Sequence, residues 1–383
     1  VREGLTIQQT FMLTTGVWLM LPLFGALPFV LGATDASVTD AMFEAMSGLT
    51  TTGATVLTGL EDLPKGLLIW RGILQWLGGI GIVVVAMVFL PELRVGGMQI
   101  FKSESFDTFG KILPRAGQIA TQISVIYLWL TLACMLSYLA LGMSTFDAAL
   151  PFVRYVQLIN GNPVALHRDP QVRGFFMTLT FLVVIVFFVL RSGTTYESER
   201  ILREAIFNIT SIISGTGYAS ADYMKWGSFA VALFFFIGLI GGCAGSTTCS
   251  IKIFRYQLLF ASIRAQLRRI RSPHGVFTPR YDGRPVGADV LSSVMSFFMF
   301  FVVSLGLISV ALSLTGLDFV TSVSGAAAAL ANIGPGLGEI IGPAGNFSSL
   351  NDTAKWILII AMWIGRLELL AVYVMFTAKF WRA

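Results

Sequence analysis

Seven stretches of this chain stay apolar for about 20 residues, the length that one bilayer crossing requires. They run over 5–31, 67–90, 118–141, 174–190, 227–251, 290–314 and 354–376. Lipid offers no hydrogen bonds to the backbone, so segments of this kind fold as helices and bury their polar groups internally. Composition agrees: 55% of the 383 residues are hydrophobic and 12% charged, where a soluble domain is nearer a quarter charged. The chain therefore reads as an all-α membrane protein. The formal net charge of +5 does not point to nucleic acid, because the basic residues lie between spans, as cytoplasmic loops require. Cys134, Cys243 and Cys249 have neither disulfide nor metal-site spacing. The start at Val1 shows no signal-peptide pattern and predicts that some N-terminal sequence is missing.

Between the spans one unit recurs: a span, a helix too short to cross, a glycine turn, and a returning span. The short helices are expected over 34–48, capped by Asp35 or Ser37, over 197–213 and over 317–331. Each runs into a turn: Thr50-Thr51-Thr52-Gly53-Ala54-Thr55, Ser214-Gly215-Thr216-Gly217-Tyr218, and Asn332-Ile333-Gly334-Pro335-Gly336. Glycine lets backbone carbonyls converge on one point, and a ring of carbonyls can replace the water shell of a potassium ion. The helix ends bring partial negative charge to the same place. One such turn reads most simply as close helix packing; three in equivalent places read as parts of one ion filter.

Charge parity exposes a gap. With the turns facing outward, 91–116 (Arg94, Lys102, Lys111, Arg115) and the basic run 252–284 (Arg264, Arg268, Arg269, Arg271, Arg280) fall inside. The loop 151–173, with Arg154, Arg168 and Arg173, should also be inside, but one preceding span puts it outside. The conflict vanishes if a half-helix, its turn and most of a span have been lost at about 148–150. The expected units are 1–92, 93–173 (incomplete, with a cytoplasmic loop), 174–288 and 289–383.

The motifs MSGLTTTGAT at 46–55, SIISGTGYAS at 211–220, GGCAGSTTCSIKIFRY at 241–256, LANIGPGLG at 330–338 and WIGRLELL at 363–370 together resemble the Trk/Ktr/HKT superfamily of potassium transporters, most closely its bacterial TrkH type. The resemblance implies four pseudo-symmetric repeats of helix, pore helix, filter loop and helix around one pore. It further implies a homodimer in the bacterial inner membrane, seated on a cytoplasmic TrkA-type nucleotide-binding regulatory ring. Two departures are the missing second filter segment and the absence, before Val1, of the extra N-terminal helices of that type. Gly53, Gly217 and Gly334 match the family's filter glycines, with Thr51, Thr52, Gly215, Thr216, Tyr218, Asn332 and Ile333 beside them. Potassium, the permeating ion, is expected at Thr52, Thr216, Gly217, Asn332 and Ile333.

The run Gly241-Gly242-Cys243-Ala244-Gly245-Ser246-Thr247-Thr248-Cys249-Ser250 is too rich in glycine and hydroxyls for a lipid-facing helix and should line the pore or be buried. The resemblance makes it the intramembrane gating loop. Arg366 is a charge near mid-membrane in the last span, a functional candidate by its cost alone. Its family counterpart reaches into the permeation path. An ion pair with Glu368 is disfavoured, since residues two apart on a helix diverge. Lys252 is expected to snorkel to the inner surface. The basic stretch 264–284 reads as positive-inside topology that could also meet anionic lipid or the regulatory partner. No phosphate-binding motif occurs, so nucleotide is assigned to the partner and no covalent cofactor to this chain. His167 and His274 lie in predicted loops. They leave an intramembrane enzyme built on Ser214, Ser246 or Cys249 without a base, and the chain is not expected to be an enzyme. An ion-coupled secondary transporter stays open as the alternative to a channel-like pore.

Overall fold

The computed structural model describes residues 7–88, 116–142, 169–193, 196–244, 246, 248 and 250–382. The expectations on 91–115, on His167, on Arg154 and Arg168, on the gap at 148–150, and on Gly245, Thr247 and Cys249 lie outside the described residues.

Five of the expected spans are single helices of 24 to 26 residues: α1 (Ile7–Leu31), α3 (Lys65–Val88), α4 (Ala116–Ala140), α5 (Pro170–Gly193) and α9 (Ala288–Ser313). Arg173, expected in a loop, lies in the first turns of α5. Pro22 and Pro28 sit inside α1, as membrane helices tolerate. One side of α1, α5 and α9 is left bare and apolar, with Phe24, Met177, Phe181, Phe188, Met299 and Leu307 all more than half exposed. That surface suits lipid.

The other two spans are broken. The apolar run 227–251 forms α7 (Ser228–Gly238), a non-helical segment, and then α8 (Ile253–Arg271), which takes up much of the basic run expected as loop. A hairpin, β1 (Arg280–Tyr281) with β2 (Arg284–Pro285), follows it. The run 354–376 forms α12 (Asp352–Arg366) and α13 (Leu370–Met375), separated by Glu368 and Leu369 at φ +61° and +43°. Hydropathy registers neither break, because it counts side chains and is blind to the backbone.

The three short helices form as expected: α2 (Val38–Leu49), α6 (Ser198–Ile213) and α10 (Phe319–Leu330). Ser37 and Asp318 cap α2 and α10 by accepting from Asp40 N–H (3.1 Å) and Thr321 N–H (3.1 Å). Each packs on the long helix before it, α2 on α1, α6 on α5 and α10 on α9. These helix pairs then interlock through apolar cores. Met42, Phe43 and Met46 of α2 pack among Leu312, Ala326, Leu358 and Met362. Ile333 and Leu337 join the core built by α5, α6 and α7. A four-residue helix, α11 (Gly338–Ile341), follows the last turn, and α14 (Ala378–Arg382) ends the described chain.

Candidate ion filter and gate

All three short helices end in the same hydrogen-bonded cap. Thr51 N–H donates to Gly48 O (3.0 Å) and Thr52 N–H to Ser47 O (2.9 Å). Gly215 and Thr216 do the same to Ile212 (2.9 Å) and Ser211 (2.8 Å), and Asn332 and Ile333 to Ala329 (3.2 Å) and Ala328 (3.0 Å). These paired bonds define the Schellman cap, which needs a left-handed residue at its centre. Thr51, Gly215 and Asn332 supply it at φ +53°, +65° and +50°. Two residues on, Gly53, Gly217 and Gly334 are left-handed again, at +83°, +80° and +110°. The cap consumes carbonyls at the helix end and turns the next few residues away from it.

The three turns meet. A methyl group on Gly53 would lie 4.0 Å from the Thr216 carbonyl oxygen, and one on Gly334 would lie 2.7 Å from that of Thr52. On Gly217 it would fall on the Ile333 carbonyl. Each glycine thus faces a carbonyl of another turn, so that among the described residues the three turns contact one another in a circuit. Side chains bind it further: Asn332 donates to Thr52 Oγ1 (2.8 Å) and to Met362 O (3.0 Å). The Thr50 and Thr52 hydroxyls lie 2.7 Å apart, and those of Ser214 and Thr216 2.8 Å apart. Ala331 and Ile333 replace this hydroxyl pair in the last turn. Tyr218 is 56% exposed and brings only its backbone.

Below the filter, the segment between α7 and α8 is held at its neck. Gly241 N–H donates to Ile251 O (2.8 Å) and Ile251 N–H to Leu239 O (3.2 Å). The Ser250 hydroxyl donates to Gly238 O at 2.7 Å and reaches Ala331 O, one residue before Asn332, at 3.5 Å. Within the loop, Gly242 N–H donates to Thr248 Oγ1 (3.0 Å), the Ser246 hydroxyl reaches Cys243 O (2.6 Å), and Ala244 N–H donates to buried Gln171 of α5 (2.7 Å). The expected irregular backbone is therefore present, and the loop's neck lies directly beneath the last turn.

Arg366 ends α12, 1% exposed. It donates to Gly78 O at 2.9 Å and lies 5.4 Å from the Trp18 ring, both in the first repeat. Its neighbour Gly365 packs so closely on the Leu330 carbonyl that no side chain would fit. The expectation for Lys252 is corrected: it is 3% exposed, and its ammonium lies 3.5 Å from Glu368. Glu368 also pairs with Arg255, which is fully buried with its guanidinium 3.7 Å from the Phe297 ring centre. Buried this deeply, a charge needs a partner, and the carboxylate here has two. Sequence reading weighed Glu368 only against Arg366. The turn at Glu368 and Leu369 aims it elsewhere.

Glu44, Arg71, Asn208 and Ser324 were also missed. Glu44, 0% exposed in α2, pairs with Arg71 of α3, and Lys355 of α12 holds Asp40 on the same helix at 2.6 Å. A carboxylate within a short apolar helix was the available signal.

A helical bundle with apolar outer faces, three matching glycine turns in mutual contact and an irregular loop beside the last of them has the make-up of an integral membrane protein. A family model described as "TrkH: Cation transport protein" matches residues 3–161 and 164–383. The Trk system potassium uptake protein TrkI of Halomonas elongata is 42% identical over 414 residues, spanning 98% of this chain and 84% of its own. TrkH of Escherichia coli is 35% identical over 425 residues, covering 100% and 86%. The crystal structure of the potassium transporter TrkH from Vibrio parahaemolyticus superposes with a TM-score of 0.87 at 32% identity, covering 100% of this chain and 87% of the other. The chain belongs to the TrkH family of cation transport proteins, and is a multi-pass inner-membrane protein. Both alignments are longer than its 383 residues, so these relatives hold residues within the matched span that have no counterpart here.

Proposed function

We propose that this chain takes up potassium through a channel-like pore, partly dehydrating the ion at the glycine turns and passing it by a gate formed by 241–250 and Arg366. The observation that carries this reading is the triple repetition of one cap, with its left-handed glycine, at one meeting point. Packing alone would call for small residues at contacts, not for the same pair of backbone bonds three times over. The relatives named above as potassium uptake proteins supply the ion. The loop neck under Ala331 and the Arg366 cation beside Gly365 supply a barrier below the filter. The chain works as a homodimer, with nucleotide control residing in a TrkA-type cytoplasmic ring; the relatives' designation as parts of a Trk system fits this. A second repeat shortened near 148–150 fits alignments that outrun the chain.

Potassium and sodium flux into proteoliposomes tests the whole. Net potassium entry that exceeds sodium entry is expected, with a higher basal rate in Arg366→Ala. Equal permeation of the two ions would refute the filter, and an unchanged leak in Arg366→Ala would refute the gate.

A further inference from the structure

Each turn is pinned on its far side as well as at its cap. Glu44 Oε2 accepts from Val56 N–H at 3.1 Å and from the Thr55 hydroxyl at 3.0 Å. In the third repeat, Asn208 accepts from Ser220 N–H at 3.0 Å and donates to the Ser220 hydroxyl at 2.9 Å. The two bonds join residues separated by the same 12 positions. In the last repeat, Ser324 accepts from Leu337 N–H (2.9 Å) and donates to Leu337 O (3.2 Å), a separation of 13. The three polar residues are 0%, 0% and 4% exposed. Three different side chains thus perform one task in one place.

We infer that Glu44, Asn208 and Ser324 are positioning residues that set the ion preference of the filter, an inference that rests on the filter reading above. A short segment held by a Schellman cap at its entry and by a buried hydrogen bond at its exit cannot widen without breaking one of them. Ion preference in a carbonyl ring depends on how firmly the number and spacing of those carbonyls are kept. The residues touch no ion. They act through the backbone they hold.

The first strut differs in carrying charge. Asn208 and Ser324 satisfy the corresponding N–H with neutral groups, so satisfying Val56 does not require a carboxylate. Glu44 also engages Arg71 and so ties α2, the exit of the turn and α3 together. Glu44→Gln keeps an acceptor for Val56 but leaves the Arg71 cation without its carboxylate behind the filter. It should weaken cation entry as well as preference.

Uptake of rubidium into proteoliposomes, competed by potassium or sodium, reads the effect. Loss of the bonds to Ser220 in Asn208→Ala, or of the two bonds to Leu337 in Ser324→Ala, should lower the potassium-over-sodium preference about three- to tenfold, while Ser324→Thr, which keeps the hydroxyl, retains it. Glu44→Gln should lower both preference and rate. If Glu44→Gln or Asn208→Ala fails to accumulate in membranes, the Ser324→Ala and Ser324→Thr pair decides. A preference unchanged in folded Ser324→Ala overturns the inference. Wild-type protein without potassium preference overturns the filter reading and the struts with it.

Discussion

The end proposed as the filter and the end proposed as the gate solve the problem of polar groups in lipid in different ways. At the filter end, a neutral backbone motif is written three times, each copy satisfied within a stretch of some ten residues. At the gate end the devices occur once, and they tie charged side chains to groups far away in the chain: Glu368 to the Arg255 cation, 113 residues away, and Arg366 to the Gly78 carbonyl, 288 away. Repeated local bonds produce a circuit in which no turn dominates. Single distant pairs concentrate the energy in a few side chains. Loss of the Glu368 pairs should therefore appear mainly as instability, and damage to the glycine turns mainly as altered ion preference.

Glu368→Ala should have the largest effect, because it strands Lys252 and Arg255 in a buried site; breaking such a pair typically costs about 3–5 kcal/mol. Thermal unfolding of the detergent-solubilised protein measures this, and a loss no greater than that of Asn208→Ala would erase the contrast between the two ends. Gly217→Ala comes next. It combines about 1–3 kcal/mol of left-handed strain with a direct clash against the Ile333 carbonyl. Gly53→Ala meets the strain alone, so potassium preference should suffer more in Gly217→Ala; the reverse order would mean that the turns do not meet as described. Thr52→Val removes the hydroxyl shared with Asn332 and Thr50 and should cost about 1 kcal/mol, visible as a small fall in unfolding midpoint. Arg200→Ala sets the floor. Arg200 is exposed, so solvent screens its pair with Glu204, and its loss should leave the unfolding midpoint nearly unchanged.

The same contrast explains what the sequence disclosed. The three short helices, the cap at Ser37 and the three glycine turns were legible because each depends on neighbours in the chain. Ser37 begins a helix wherever it occurs in such a setting, and Gly53, Gly217 and Gly334 mark the same step of one motif. The struts were legible in principle, since laying the three turns over one another puts Glu44 on Asn208, but Ser324 is displaced by one residue and hides the pattern. The break after Gly238 was legible in the glycine and hydroxyl run 241–250, but the break after Arg366 was not, because Ile364, Leu367 and Leu369 keep hydropathy high on both sides. The fate of Lys252 was not legible at all. A lysine after an apolar run snorkels unless a carboxylate waits for it, and that carboxylate lies in another helix.

The distance between Glu368 and its cations also orders events in time. Arg255 and Lys252 leave the ribosome 113 residues or more before Glu368, which at about 5–20 residues per second is roughly 6 to 23 seconds. During that interval the start of α8 carries two positive charges with no carboxylate to receive them, so it cannot settle at its final depth. The pairing at Glu368 is then completed only when the segment that links α12 to α13 arrives.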